Sequence, residues 1–184
     1  MSTLHKKYLT DVVPTLQKEF GLKNILQVPS IRRVTINVGV GKSSKDPEFV
    51  SVVENTLTRI TGQKPIRTKA KKSIASFKTR EGQIVGVAVT LRKKRMYDFL
   101  DRLLTFALPR VRDFRGIDSK AVDAQGNLTI GFRENLTFPE IRPDEIERVH
   151  GLEVSISTTA RSREKGLRLF TLLGFPFRTT KSSK

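Results

Sequence analysis

Arg33-Val34-Thr35-Ile36-Asn37-Val38-Gly39-Val40 alternates without a break: Val34, Ile36, Val38 and Val40 form one apolar face, and Arg33, Thr35, Asn37 and Gly39 form the other. A period of two is the mark of a strand covered on one side. The pattern recurs where Val85, Val87, Val89 and Leu91 oppose Gly86, Ala88, Thr90 and Arg92. It recurs again where Leu128, Ile130 and Phe132 oppose Thr129, Gly131 and Arg133, and where Val154 and Ile156 oppose Ser155 and Ser157. An extended segment sets Arg67, Lys69 and Lys71 against Ile66, Thr68 and Ala70. Five half-covered strands need helices to cover their apolar faces.

Those helices are legible too. Asp46 then Pro47 reads as N-cap and first helical residue, Phe49, Val53, Leu57 and Ile60 form the buried stripe, and Gly62 stops the helix. Met96, Phe99, Leu100, Leu103, Leu104 and Ala107 give a second stripe that ends before Pro109. A last helix begins near Ser162, buries Leu167, Phe170 and Leu173, and ends at Gly174. Leu9, Val12, Val13, Leu16 and Phe20 form an N-terminal helical arm over residues 1–21 that Pro14 splits or kinks. The expected class is α+β: a largely antiparallel sheet of about five strands, with amphipathic helices on one face and the other face open. The 184 residues suit a single domain over 1–178, with a protruding basic loop at 74–82 and a frayed tail at 179–184.

Charge says what the open face is for. Lys and Arg number 35 against 18 Asp and Glu, a net charge of +17, and such a surplus makes a polyanion the first partner to consider. It is not evenly spread. Between Arg59 and Arg95 stand twelve basic residues against Glu81 alone. There are no cysteines, which excludes a disulfide scaffold and a thiolate metal site, and no apolar run approaches the roughly 20 residues of a membrane span. The open face would carry cations, short hydrogen-bonding side chains and glycines that let a nucleic-acid backbone approach closely. Lys93, Lys94 and Arg95 stand at a helix start, where they oppose the helix dipole unless they hold a phosphate. Phe77 either stacks on an unpaired base or anchors the core.

Catalytic readings fail one by one. Gly41-Lys42-Ser43 resembles the end of a phosphate-binding loop, but Ile36 stands where its first glycine is required. Gly39 and Gly41 match the first two glycines of a dinucleotide fingerprint, and Ser44 stands at the third. His5 and His150 read as surface histidines outside any metal-ligand pattern. Glu134, Glu140, Asp144, Glu145 and Glu147, interrupted by Pro139 and Pro143, read as a solvated loop or a docking surface for a basic partner. Neither an RNA-modifying enzyme nor a membrane-surface protein is supported: no catalytic, metal or cofactor set emerges, and the cations cluster on strands and loops instead of one helix face.

The stretch Thr61-Gly62-Gln63-Lys64-Pro65-Ile66-Arg67-Thr68-Lys69-Ala70-Lys71-Lys72-Ser73 resembles the signature of the bacterial-type ribosomal protein L-five family, which binds 5S rRNA in the central protuberance. Ile36 to Gly41, Ser76 to Gly82, Arg95 to Leu103, Ala107 to Gly116, Phe138 to Ile141 and Gly174 to Phe177 are similar to further blocks of that family, in order along nearly the whole chain. The resemblance implies a non-enzymatic component of the cytoplasmic ribosome, without cofactor or metal. It places the 5S rRNA contact on Arg33, Thr35, Asn37, Gly39, Gln63, Lys64, Thr90 and Arg92, and the charge distribution adds Arg67, Lys69, Lys71, Lys72, Lys93 and Arg95 to the rRNA-binding set. It also implies a contact of Ser76, Phe77, Lys78, Thr79 and Arg80 with P-site tRNA. A bridge to the small-subunit protein S-thirteen would fall on Glu134, Glu140, Arg142, Asp144 and Glu145. Large-subunit rRNA and other central-protuberance proteins complete the implied partners, with no membrane among them. The chain departs from the pattern at Ala121-Val122-Asp123-Ala124, where Phe-Asp-Gly is common, and at Arg161-Ser162-Arg163, which replaces a more acidic helix start and leaves room for another RNA contact.

Overall fold

A computed structural model describes residues 2–41, 46–142 and 148–178. The strands are β1 (Ile31–Gly39), β2 (Ile66–Lys69), β3 (Ile84–Leu91), β4 (Leu128–Phe132) and β5 (Leu152–Thr158), hydrogen-bonded in the order β2-β3-β1-β5-β4 as one open antiparallel sheet. With helices α1 (Thr3–Lys7), α2 (Val13–Glu19), α3 (Pro47–Thr61), α4 (Lys93–Arg102) and α5 (Arg163–Leu173), this is the expected α+β class. The chain divides into two compact units, with the boundary falling within β1, β4 and β5.

The unit of Thr35–Leu91 and Gly131–Val154 is built on α3. The Phe49 N–H donates to Asp46 Oδ1 at 3.2 Å, Pro47 follows the cap, and Gly62 closes the helix at φ +67°. Val50, Val53, Leu57 and Ile60 are buried as α3 packs on β3, where Val87, Val89 and Leu91 are buried in turn. Each such side chain contributes roughly 1.5–3 kcal/mol by leaving water. Phe49, expected in that stripe, is half-buried and meets the His150 ring edge-on at 6.2 Å.

At β2 the expected face is corrected. β2 runs antiparallel to β3 with Ile66 opposite Ala88, Arg67 opposite Val87 and Thr68 opposite Gly86. Directly opposed residues share a face, so Arg67 stands on the helix-covered side with Val87 and forms an ion pair with Glu54 of α3. Ile66 and Thr68 stand on the open side instead. A register shift between Thr68 and Lys69 then brings Lys69 opposite Ile84, on the open-side parity of β3. The sequence reading assumes an unbroken alternation through this shift.

The other unit, Met1–Val34, Arg92–Ile130 and Ser155–Lys184, contains α1, α2, α4 and α5. Two prolines shape it in the same way. Pro14 and Pro109 lack the N–H that would bond the carbonyl four residues back. In both places the preceding turn widens, so that the Val13 N–H reaches Tyr8 O and the Leu108 N–H reaches Leu103 O. The π turn Tyr8–Val12 joins α1 to α2, so Pro14 shifts the arm's register without breaking it. The π turn Leu103–Ala107 carries α4 into a final 3-10 turn, Leu108–Arg110, so the helical path passes through Pro109 and does not end before it. Leu4, Tyr8, Val12 and Leu16, four apart, are buried as the widened turn keeps them in phase, and Leu9, expected in the stripe, is exposed. In α5 the Lys165 N–H donates to Ser162 Oγ at 3.3 Å, and Leu169, Phe170 and Leu173 are buried. Gly166 abuts Gly126: a Cβ on Gly166 would stand 2.4 Å from Gly126 Cα. The expected tail, Thr179 to Lys184, lies outside the described residues.

Candidate nucleic-acid interface

In the unit of Thr35–Leu91 and Gly131–Val154, the open face gathers side chains from three strands. A Cβ built on Gly86 would lie 2.6 Å from Thr68 Oγ1, 3.3 Å from Val38 O and 3.4 Å from Asn37 Oδ1. Glycine in the middle of β3 therefore lets Asn37 of β1 and Thr68 of β2 close over it. The result is a polar lane across the sheet in which the Asn37 amide and the Thr68 hydroxyl meet over the buried Gly86. Thr35 is half-buried and Gly39 exposed on the same parity of β1. Farther along β3, Gln63 Nε2 donates to Thr90 O at 3.3 Å, tying the segment just after α3 to the end of the strand. Lys64 and Lys69 are exposed in the same unit. Arg67, expected on this face, has its Nη2 donating to Glu54 Oε2 at 3.1 Å, and this bonding holds the Glu54 carboxyl below the usual carboxylate range. Thr68, assigned by parity to the covered face, is the residue that the sequence reading misses; its signal is the register shift, which only strand pairing reveals.

The connection from β2 to β3 is a narrow hairpin. Ala70 and the residues at its far end are tied by Ala70 N–H to Gln83 O at 2.8 Å and Gly82 N–H to Ala70 O at 3.0 Å. Ile74 and Thr79 exchange two backbone hydrogen bonds at 3.0 and 3.2 Å, leaving Ala75 to Lys78 as the tip, with Lys78 at φ +52°. Lys71, Lys72, Ser76, Lys78 and Arg80 are all exposed. Phe77 is 77% exposed, which removes the core-anchor alternative. Its ring, with Ile74, Ala70 and Val85, lines an open and mainly apolar groove whose rim carries Lys71 and Lys72.

In the unit of Met1–Val34, Arg92–Ile130 and Ser155–Lys184, Arg33, Arg92, Lys93 and Arg95 are exposed. α4 starts without a side-chain cap and without an acid in its first turn, and Lys93 adopts φ +53°. A left-handed lysine costs on the order of 1 kcal/mol, and the cations oppose the helix dipole. Both costs fall where Arg92, Lys93 and Lys94, with Arg32, rim a groove of about 740 Å³ beside α1. On its wall the His5 ring stacks on Tyr97 at 4.4 Å, and burial pushes the Tyr97 hydroxyl up to about 12. His5 is thus a packed side chain, half-buried.

Glu134 and Arg142 are exposed and Glu140 is half-buried, while Asp144, Glu145 and Glu147 lie outside the described residues, as do Lys42, Ser43 and Ser44. His150 corrects a second expectation. It is 7% exposed, not a surface histidine, and burial lowers its pKa. Among the described residues no group of three or more His, Cys, Asp or Glu could hold a metal ion, and no helix is long and apolar enough to cross a membrane.

Comparison with known proteins identifies the molecule's class. The family model described as Ribosomal protein L5 matches residues 24–80, and the model of the same ribosomal family's C-terminus matches residues 84–177, more than half of the chain. The chain belongs to the ribosomal protein L5 family. It is 53% identical over 178 residues to the large ribosomal subunit protein uL5 of Desulfatibacillum aliphaticivorans, covering 97% of this chain and 99% of the relative. The uL5 protein of Caldanaerobacter subterraneus subsp. tengcongensis is 50% identical over 177 residues, covering 96% and 99% of the two chains. That of Francisella tularensis subsp. novicida is 48% identical over 179 residues, covering 97% and 100%. A member of this family is a structural constituent of the large ribosomal subunit, a ribonucleoprotein of translation, and not an enzyme. The sequence resemblance is thereby borne out.

Proposed function

We propose that this protein binds 5S rRNA through the open sheet face and helps to hold it in the central protuberance. The observation that carries the reading is the lane formed by Asn37, Gly86 and Thr68, where a half-buried amide and a half-buried hydroxyl meet over a buried glycine. Amides and hydroxyls suit the 2′-hydroxyls and backbone oxygens of folded RNA, and exposed cations suit its phosphates. The contact set is Arg33, Thr35, Asn37, Gly39, Gln63, Lys64, Thr90 and Arg92, with Lys69, Lys71, Lys72, Lys93 and Arg95 adding charge and Thr68 joining the polar lane. Arg67 is occupied by Glu54 and contributes least.

Filter binding of transcribed 5S rRNA over a salt series tests this. Six to eight phosphate contacts predict a slope of log affinity against log salt of about −5 to −7. Asn37→Ala should weaken binding without changing that slope, because an uncharged side chain releases no counterion. A slope near zero for the parent protein would overturn the reading.

Two further contacts belong to the same proposal. The hairpin tip, with Ser76, Phe77, Lys78, Thr79 and Arg80, meets P-site tRNA, and the exposed Phe77 ring offers a face on which an unpaired base can stack. The segment carrying Glu134, Glu140 and Arg142, continued by Asp144 and Glu145, meets the small-subunit protein S-thirteen.

A further inference from the structure

The groove beside α1 holds more than a contact with an RNA backbone needs. Arg32 of β1, Arg92, and Lys93 and Lys94 at the start of α4 rim it, and all four are exposed. They come from two distant stretches of chain and converge on one opening of about 740 Å³, a volume that suits a small organic ligand. None of the four has a carboxylate partner among the described residues, whereas Arg67, Arg148 and Arg168 are each paired. Like charges held together repel, so the arrangement favours an anion among them. α4 adds to this: no side chain caps it and no acid stands in its first turn, so its first N–H groups also face an anion without competition.

The rest of the groove is mainly apolar, with Ile31, Met96 and the stacked rings of His5 and Tyr97 in its wall. Tyr97 is only 7% exposed, yet its hydroxyl makes no hydrogen bond with any described residue. A hydroxyl kept from water without a partner is costly, and this one belongs to a side chain that lines the groove, where a ligand can supply the partner. Four cations, an aromatic wall and one unpartnered hydroxyl in a single opening call for a ligand that joins several negative charges to a ring. An RNA strand spaces its phosphates one to a nucleotide, whereas a nucleoside triphosphate carries all of its phosphates on one end, beside a single base. We infer that this groove binds a free nucleoside triphosphate, with its phosphates on Arg32, Arg92, Lys93 and Lys94 and its base against the His5/Tyr97 pair. Arg92 and Lys93 also belong to the 5S contact, so nucleotide and 5S rRNA exclude each other; that exclusion, unlike the site itself, rests on the 5S reading.

Isothermal titration calorimetry of the full-length protein, freed of RNA, tests this with three probes: ATP, AMP and inorganic tripolyphosphate. ATP should bind saturably with a Kd at or below about 1 mM. AMP lacks the further phosphates and tripolyphosphate lacks the ring, and each should bind at least about tenfold more weakly. Arg32→Gln/Lys94→Gln removes two exposed cations outside the 5S set; it should lower ATP affinity about 10- to 100-fold and leave 5S rRNA affinity within about threefold. Tyr97→Phe keeps the ring and its packing and should lower ATP affinity about fivefold. Saturating ATP should weaken 5S rRNA binding by the parent and not by Arg32→Gln/Lys94→Gln. Tripolyphosphate binding as tightly as ATP overturns the inference, because it would reveal a basic surface with no place for the ring. ATP affinity unmoved by Arg32→Gln/Lys94→Gln overturns it as well. Failure of the 5S reading looks different: the parent would ignore 5S rRNA, while its ATP binding kept its dependence on Arg32 and Lys94.

Discussion

Replacing Gly166 by Ala should destabilise the protein, although helix propensity alone argues the reverse. In an exposed helix interior, Gly to Ala is worth about 1 kcal/mol in favour of the helix. Here the added methyl would stand 2.4 Å from Gly126 Cα, 2.6 Å from Gly126 O and 2.8 Å from Gly126 C, whereas relaxed carbon contacts are about 3.5–4.0 Å. Backbone must move by about 1 Å to relieve this. The turn that would have to yield is tightly tied. Asp123 Oδ1 accepts from the Gln125 and Asn127 N–H groups at 2.9 and 2.8 Å. Asn127 Oδ1 accepts from the Thr158 N–H at 2.9 Å, and Thr158 Oγ1 donates to Gly126 O at 2.7 Å. Overpacking costs about 1–3 kcal/mol, and each displaced hydrogen bond about 1 more. The net expectation, after subtracting the propensity gain, is a loss of about 2–3 kcal/mol, or about 5–10 °C in thermal midpoint for a chain of this size. Circular dichroism melting of Gly166→Ala beside the parent decides it. A midpoint equal to or above the parent's would refute the reasoning, because it would mean that α5 slides off the turn at no cost.

The tyrosines provide a spectroscopic check. The chain has two and no tryptophan. Burial raises both Tyr8 and Tyr97, the latter to about 12 with the charge of Tyr8 assisting, so ultraviolet titration should show less tyrosinate at pH 10 in the folded protein than in the denatured chain, and stability should decline as pH climbs above that value. His150 works in the opposite direction. Its buried ring titrates below the unfolded value near 6.5, so the unfolded chain takes up protons first and the thermal midpoint should drop as pH falls from 7.5 to 5.5, a drop that His150→Leu should shrink. Gly86→Ala pushes a methyl onto Thr68 Oγ1 and against Asn37 Oδ1. It should weaken 5S rRNA binding by about tenfold in gel shifts, the equivalent of one displaced polar contact, with a smaller thermal shift than Gly166→Ala. Lys78→Ala/Arg80→Ala should leave 5S affinity nearly unchanged while lowering P-site tRNA retention on assembled ribosomes. A 5S loss matching that of Asn37→Ala would show that the tip and the sheet are one surface.

Capping chemistry and alternation make most of the architecture readable in advance. Asp46-Pro47 and Gly62 delimit α3, Ser162 and Gly174 delimit α5, and the alternation at Val34 to Val40 and Val85 to Leu91 marks β1 and β3. The misreadings share a cause: each depends on one residue of slippage, or on a distant neighbour, that local pattern cannot register. Arg67 changes sides because alternation does not survive the Thr68/Lys69 shift and because Glu54 waits on a helix thirteen residues earlier. Pro14 and Pro109 look like breakers, yet a widened turn absorbs each missing donor. His150 looks like a loop histidine because the ring it packs against, Phe49, lies far away in the sequence. At the interface, the cations are evident from composition, whereas the neutral lane through Thr68 and Gly86 exists only once the strands are paired.

The edge strand β2 also bears on the protein's life before it meets RNA. A freshly made ribosomal protein must stay unassociated until its RNA is available, and an unpaired sheet edge is an invitation to another chain. β2 is poorly suited to accept one. It has only four residues, its register breaks at Thr68/Lys69, and Arg67 and Lys69 bring charge to the strip where a neighbouring strand would have to lie. Ile66, 66% exposed, is the single large apolar side chain on it. The irregularity that hides β2's true face from its sequence therefore also guards the free protein against pairing with its own copies while it waits.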